Sequence, residues 1–350
     1  MTCKKINSAI LGAGAPNIAT CHQLPASLKS ENVKVSSLCD VNLMVKEYAE
    51  SCGAKAYTDY AEMLIDSALD MVQIATPDWL HCEQAEMALA AGKHVLLQKP
   101  ACLNREELKL IQKALDKSSA QLKILLNCRE TRLCRTIEKC IQDGVIGELR
   151  EIKISYRGRR FPINNPESFY LKEESGGVWL HNGLHWLDEA FFYSKSLPKA
   201  VQVFANRNDN GVPQVLGGGS NYWSAFFPMH NGVTFNFEYN TMLLQEGLPG
   251  GMKRVLIGTG GEIRQDYGSG DIILFTPGNE PEKIELLDAG LSPEEDVIES
   301  FRRAIDSFAK QIMNEVEQEP KVSDSLALMN ALFAGIESSK TLKCISLETE

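Results

Sequence analysis

The chain has 350 residues, more than a single hydrophobic core usually serves, so two domains are expected. Its 44% apolar and 23% charged residues suit a globular enzyme, and a net charge of −10 argues against a nucleic-acid-binding surface. No run reaches the roughly 18 apolar residues of a membrane span, and the first residues lack the apolar core and cleavage site of a secretory signal, so a cytoplasmic protein without a membrane partner is expected.

Residues 6–11 read as a buried strand, followed by a glycine-bearing turn and a helix to about Ser27. Residues 33–39 alternate as a second strand, and a helix near 42–52 ends at Gly53. The apolar run 70–75 is a strand, after which Thr76-Pro77-Asp78 opens a helix that stops at Ala91-Gly92. Residues 94–98 are the next strand, Asn104 with Glu107 starts a helix, and 122–126 close the series. Strands alternating with helices at this spacing form βαβ units and a parallel sheet, a doubly wound Rossmann domain over residues 1–127. Beyond it, 151–157, 200–205, 222–227, 233–239, 253–258 and 271–275 read as strands, with Asn231-Gly232 as a hairpin signal. Helices are expected at 131–142, 180–193, 293–317 and 324–340. Residues 128–350 therefore read as an α+β domain with one open, mainly antiparallel sheet and helices on one face. The ten cysteines form no Cys-x-x-Cys pair, and reduced, mostly buried thiols are expected.

Gly12 and Gly14 follow the first strand directly. The first permits the tight turn and the second lets the backbone approach a pyrophosphate at the helix N-terminus. With Ala15-Pro16 as an insertion, Asn17 and Ile18 fall on the cofactor-facing turn and Ala19 becomes the small packing residue. Asp40 ends the second strand, 21 residues beyond Ala19, where a carboxylate accepts hydrogen bonds from the adenosine ribose and repels a 2′-phosphate. NAD is expected over NADP. The bland reading of Asp40 is a cap for the helix that follows.

Ile74-Ala75-Thr76-Pro77-Asp78-Trp79-Leu80-His81, then Ala91 through Pro100 with Gln98-Lys99-Pro100, then Gly144-Val145-Ile146-Gly147-Glu148-Leu149, then Gly176-Gly177 with His181-Asn182-Gly183-Leu184-His185, occur in that order. Together they resemble the glucose–fructose oxidoreductase / inositol dehydrogenase (Gfo/Idh/MocA) family. The resemblance implies a Rossmann domain, a second domain whose sheet often serves oligomer contacts, and oxidation or reduction of a secondary alcohol on a sugar, cyclitol or related molecule. It further implies a lysine near the nicotinamide, matched by Lys99, and an aspartate and a histidine at the substrate. Two positions depart: Gln98 stands where the family has glutamate, and His181 where it has aspartate.

Oxidation of an alcohol needs a base while hydride leaves, which suits His185; its plain alternative is a core histidine on a helix. Lys99 either polarises the reacting oxygen as an ammonium or, with its pKa lowered about three units, relays the proton. Gln98 removes an anion that would hold the lysine charged, and His181 positions substrate. His181 and His185 share a helical face, but residues 182–184 lack the glutamate of a His-Glu-x-x-His site and no third ligand is evident, so no metal is expected. Thr76, Pro77, His81, Gln98 and Lys99 are further cofactor-side candidates. Arg129, Arg157 and Asn182 are substrate-side candidates, with Arg159 and Arg160 beside Arg157. Trp179, Trp186 and Trp223 either stack on a sugar ring or pack in the core. The expectation is an NAD-dependent oxidoreductase for a polyhydroxylated small molecule, a homodimer or homotetramer through the second domain's sheet. The rival readings are an NAD-dependent eliminating glycosidase and a non-catalytic dinucleotide-binding regulator.

Overall fold

Six parallel strands form the first sheet of the computed structural model, which describes residues 5–159, 177–206, 222–243, 250–317 and 319–347. They are β1 (Ile6–Leu11), β2 (Val33–Cys39), β3 (Lys55–Tyr57), β4 (Met71–Ile74), β5 (His94–Gln98) and β6 (Leu122–Leu125). Their order is β3-β2-β1-β4-β5-β6, the doubly wound dinucleotide-binding arrangement whose order reverses between β1 and β4. β4 and β6 are buried at every position, as expected of strands covered on both faces. The connecting helices are α1 (Leu24–Leu28), α2 (Val45–Cys52), α3 (Tyr60–Leu64), α4 (His81–Ala90) and α5 (Arg105–Lys117). Gly53 ends α2 in the left-handed conformation (φ 70°), and Asn104 caps α5 by accepting from the Glu107 N–H. The helix expected to about Ser27 is two pieces: a π-helical turn, Ala19–Gln23, followed by α1.

Among the described residues the second sheet has nine strands. After α6 (Arg132–Gln142) come β7 (Leu149–Arg159), α7 (Gly177–Ser194), β8 (Ala200–Ala205), β9 (Tyr222–Pro228), β10 (Thr234–Leu243), β11 (Gly251–Gly258), β12 (Glu262–Gln265), β13 (Ile272–Phe275) and β14 (Glu282–Ile284). The chain continues through α8 (Pro293–Ile312) and α9 (Val322–Thr341) to the two-residue β15 (Ile345–Ser346) at the sheet edge. All neighbours run antiparallel except β7 and β10. The β9–β10 turn contains Asn231-Gly232, with Gly232 at φ 87°. Alternate side chains of these strands, among them Tyr156, Trp223, Phe237 and Tyr239, face α7 and pack around Trp186, Tyr156 and Phe237 stacked on it (4.2 Å between the Trp186 and Phe237 ring centres) and Trp223 and Tyr239 tilted to it. Trp179 donates to the Leu332 carbonyl at 2.8 Å, and a Cβ at Gly335 would lie 2.4 Å from its ring, so α9 approaches α7 closely only because of that glycine.

The chain forms two compact units, Met1–Thr131 with Leu291–Leu326, and Arg132–Gly290 with Ala327–Glu350. This corrects the expected single division between residues 127 and 128, which put every later helix in the second domain. Phe301, Ala304, Ile305 and Phe308 of α8 are buried with Ile6, Met71, Leu96 and Leu125 of the parallel sheet. α8 starts with Ser292 and Glu295 in a reciprocal capping box, a local signal that marks where a helix begins but not which sheet it covers. Among the described residues no helix is long and apolar enough to cross a membrane. Arg160 and Gly176 lie outside the described residues, as does the side chain of Arg159.

Candidate active site

The turn after β1 is built on two glycines. Gly12 has φ 97°, and a Cβ on it would stand 2.6 Å from the Ala75 carbonyl oxygen. The Gly14 N–H donates to Asp40 Oδ2 at 2.9 Å, and a Cβ on Gly14 would meet the Asp40 carboxyl at 2.4 Å. Asp40 Oδ1 accepts from the Asn42 N–H at 2.8 Å. Asp40 thus shapes the loop after β2 and lies against the second glycine, while the N-cap of α2 is Met44, without a side-chain cap. Asn17 donates to the Gly12 carbonyl (2.8 Å) and accepts from the Ala19 and Thr20 N–H groups (2.8 and 3.2 Å), so it caps the helix that receives the pyrophosphate in this fold. The π-helical turn takes up extra residues here, and Ala19 is fully buried, as the small packing residue has to be. Ile18 beside it is exposed at 38%. Two bare glycines at close approach, a capped helix start and a carboxylate at the end of β2 fit a bound dinucleotide.

Thr76 and Pro77 leave the carboxyl end of β4, where ligands of open α/β sheets bind. Thr76 Oγ1 donates to Gln84 Oε1 at 2.5 Å, and Pro77 is exposed. His81, expected on the cofactor, is 1% exposed with Nδ1 2.7 Å from the Pro100 carbonyl and Nε2 2.9 Å from the Thr76 carbonyl. Both ring nitrogens face main-chain oxygens, and the ring serves the protein's own loops. Gln98, also expected on the cofactor side, points its carboxamide inward. It is 5% exposed and its Nε2 donates to Gln23 Oε1 (3.2 Å). Gln23 then donates to Gln73 Oε1 (3.3 Å), and Gln73 to the Ser8 and Ser27 hydroxyls (3.1 and 2.8 Å). The Gln98 side chain belongs to this buried amide ladder.

Lys99 follows β5 and is half-buried. Burial pushes its pKa down from 10.5 to about 8, against the opposing pull of Asp78 and Cys128. Asp78, 4% exposed on the turn Asp78–Leu80, is the nearby carboxylate that sequence reasoning did not single out. Its position just past β4, the neighbour of β5, was the available signal. Arg129 is 3% exposed on the turn Asn127–Glu130, which Arg303 and Ser300 of α8 hold by hydrogen bonds to Glu130 and Asn127.

In the second unit, His181, Asn182 and His185 are half-buried on α7, and the helical repeat puts the two histidines on one stripe. Gly183, Leu184 and Leu187 are buried. Strand alternation sets where Arg157, expected at the substrate, points. Tyr156 stacks toward Trp186 on the α7 side, so Arg157 points from the opposite face, exposed, 4.4 Å over the Tyr267 ring. The three tryptophans of this unit are core: Trp179 and Trp223 are 1% exposed and Trp186 9%.

Residues 6–125 match the oxidoreductase family with an NAD-binding Rossmann fold, and 134–264 match the GFO/IDH/MocA C-terminal domain. Oxidoreductase P35 of Formosa agariphila is 31% identical over 249 residues, covering 69% of this chain and 74% of that protein. The scyllo-inositol 2-dehydrogenase (NADP(+)) IolW of Bacillus subtilis is 28% identical over 159 residues, covering 45% of this chain and 44% of that protein. The fold is similar to that of levoglucosan dehydrogenase in complex with NADH and levoglucosan, at a TM-score of 0.82 and 19% identity over 99% of this chain and 100% of that one. The glycine turn, the reversal of strand order at β1 and β4, and the matched domains agree, and the chain belongs to the GFO/IDH/MocA family of NAD-binding oxidoreductases.

Proposed function

We propose that the protein transfers hydride between a nicotinamide and a secondary alcohol or ketone of a sugar, cyclitol or similar polyhydroxylated molecule. The observation that carries this reading is Lys99, a half-buried lysine at the carboxyl end of β5 whose pKa is lowered to about 8. Gly12, Gly14, Asn17, Ile18, Asp40, Thr76 and Pro77 would hold NAD, which supplies the hydride acceptor or donor. Lys99 holds or accepts the hydroxyl proton, because a lysine near 8 is partly neutral at physiological pH. His185 is the second proton-handling group, and His181 and Asn182 position the substrate. Relatives named for scyllo-inositol and levoglucosan support the polyol class without choosing within it. A homo-oligomer through the sheet face opposite α7 completes the proposal, since Phe204 and Phe226 stand exposed there at 53% and 41%.

The test is NADH and NADPH titration by fluorescence, then a panel of inositols, levoglucosan and hexoses with Lys99→Ala as control. Nicotinamide reduction with at least one polyol, lost in the variant, supports the reading. Unchanged turnover in Lys99→Ala overturns it, as does cleavage of a substrate with no net change in NADH.

A further inference from the structure

We infer that His81 is a positioning residue for Lys99, acting through the Pro100 main chain, and not a ligand of the cofactor. This rests on the proposed role of Lys99 in proton handling. β4 and β5 lie side by side, with Ile74 opposite Leu97, and their loops separate just beyond the sheet. His81 opens α4 and spans that gap. Nδ1 lies 2.7 Å from the carbonyl of Pro100, the residue after Lys99, and Nε2 2.9 Å from the carbonyl of Thr76; carbonyls only accept, so the ring donates to Pro100 when Nδ1 carries the proton, and to both carbonyls only as the imidazolium. The ring is 1% exposed, so neither contact competes with bulk water. Gln84, one turn on in α4, accepts from Thr76 Oγ1 and fixes the same loop a second time.

Lys99 is thereby held from both sides. Before it, Gln98 is pinned by its carboxamide to Gln23; after it, Pro100 is pinned by its carbonyl to His81. The lysine backbone cannot shift unless one of these buried contacts opens. A catalytic amine gains from such restraint because small displacements of a reacting group are costly in rate. The clamp also keeps Lys99 desolvated. Among the described residues, Asp78, on the turn before α4, and Cys128, on the turn after β6, act on its charge, and both favour the ammonium. Burial is the opposing influence and the larger one, and loosening the Pro100 loop would admit water and weaken it.

The experiment uses the whole chain without substrate. Lysine side chains are labelled with carbon-13 at Cε, and the Lys99 signal is identified by its loss in Lys99→Ala. In the wild type Lys99 should titrate near 8. In His81→Phe, which keeps the ring and loses both polar contacts, the midpoint should rise by about one pH unit or more toward the ordinary lysine value, while the NADH dissociation constant, read by fluorescence, changes less than about threefold. An unmoved Lys99 midpoint in a folded His81→Phe protein overturns the proposal. So does a loss of NADH affinity of about tenfold or more, which would mean that the ring serves cofactor binding, directly or through the Thr76 carbonyl it faces. Should His81→Phe not fold, His81→Leu, which also lacks a donor, is read by the same two measurements. A Lys99 midpoint that moves in the variant, in a protein that oxidises no polyol, would sustain the positioning role and refute the proposed reaction.

Discussion

Gln98 and Lys99 are neighbours in sequence with opposite fates: the Gln98 carboxamide donates inward to Gln23 Oε1 at 3.2 Å, whereas Lys99 is half-buried and under the influence of Asp78. Period-two alternation at the end of β5 accounts for the divergence. The neutral amide at 98 therefore does not govern the lysine charge directly; burial lowers the Lys99 pKa and Asp78 restrains the fall.

Gln98→Glu puts a carboxylate at one end of the ladder, against the Gln23 Oε1 acceptor. Gln23 and Gln73 would have to reverse their amides, which the ladder tolerates because it ends on the Ser8 and Ser27 hydroxyls, able to donate or accept. The remaining cost is charge burial, about 1–3 kcal/mol at pH 7.5. Burial raises the folded-state pKa of such a carboxyl above its unfolded value near 4.3. The penalty is therefore absent below about pH 4.3 and grows as pH rises toward the folded value. Chemical denaturation of variant and wild type at pH 4.5 and 7.5 checks this: the stability gap should widen at the higher pH.

The long strands were legible in sequence because their apolar runs are continuous or alternate over five or more residues, and β2, β5 and β8 match the expected spans. β3, β12, β14 and β15 were not; with two to four residues each, they are too short to show a period. Lys99 was singled out by the resemblance of the Gln98-Lys99-Pro100 segment to the family's lysine motif, whereas the glycine turn was readable because local spacing carries its geometry. The amide ladder was not, since Gln23, Gln73 and Gln98 lie in separate segments that only the β1-β4-β5 strand order assembles. The return of α8 to the first unit was hidden for the same reason.

Lys99 links rate and stability to pH. The oxidation rate should rise with pH and level off above about 8, as the amine loses its proton and becomes able to accept one. Lys99→Ala should lower kcat by about 10²-fold or more. The stability effect has the opposite sense. Burial disfavours the ammonium in the fold, so the native pKa lies below the unfolded value of 10.5 and the unfolded chain binds more protons between about 8 and 10.5. Lys99→Met should be more stable than wild type at pH 7, on the order of 1–3 kcal/mol, and that advantage should shrink as pH rises through this window. Urea denaturation at pH 7, 9 and 10 tests it.

Asp40 should set cofactor preference. Its carboxylate is held by the Gly14 and Asn42 N–H groups at 2.9 and 2.8 Å, close to the second glycine of the turn. A 2′-phosphate brought there meets like charge, whereas ribose hydroxyls meet an acceptor. NADH should bind the wild type at least tenfold more tightly than NADPH, a difference of about 1.4 kcal/mol. Asp40→Ser should narrow the gap chiefly by weakening NADH. Fluorescence titration of both cofactors decides it, and equal affinities in the wild type would refute the argument.

Arg254 of β11 and Glu189 of α7 form an ion pair with side chains 11% and 2% exposed, braced by Gln265 and Tyr193. It anchors the helix that bears His181 and His185. Arg254→Met would leave a buried carboxylate without its cation and should cost about 3–5 kcal/mol. The double variant Arg254→Met, Glu189→Met removes both charges and should recover much of the loss. Denaturation midpoints for the four members of this cycle give the coupling directly.

The sheet face opposite α7 should carry the subunit contact. β8 and β9 place Phe204, Tyr222 and Phe226 there, exposed at 53%, 37% and 41%. Their strand neighbours Val203, Trp223 and Phe227 are buried on the other face, so these aromatics have no role in the unit's own core. A cluster of this kind is costly in water and is usually covered. In a symmetric pairing one substitution acts on both copies, which doubles its effect. Phe226→Glu should therefore shift the protein to monomer at micromolar concentration while leaving the far-ultraviolet circular dichroism unchanged. Light scattering after size exclusion measures the outcome. A wild type that elutes as a monomer, or a variant that assembles like wild type, would remove this face from the oligomer contact.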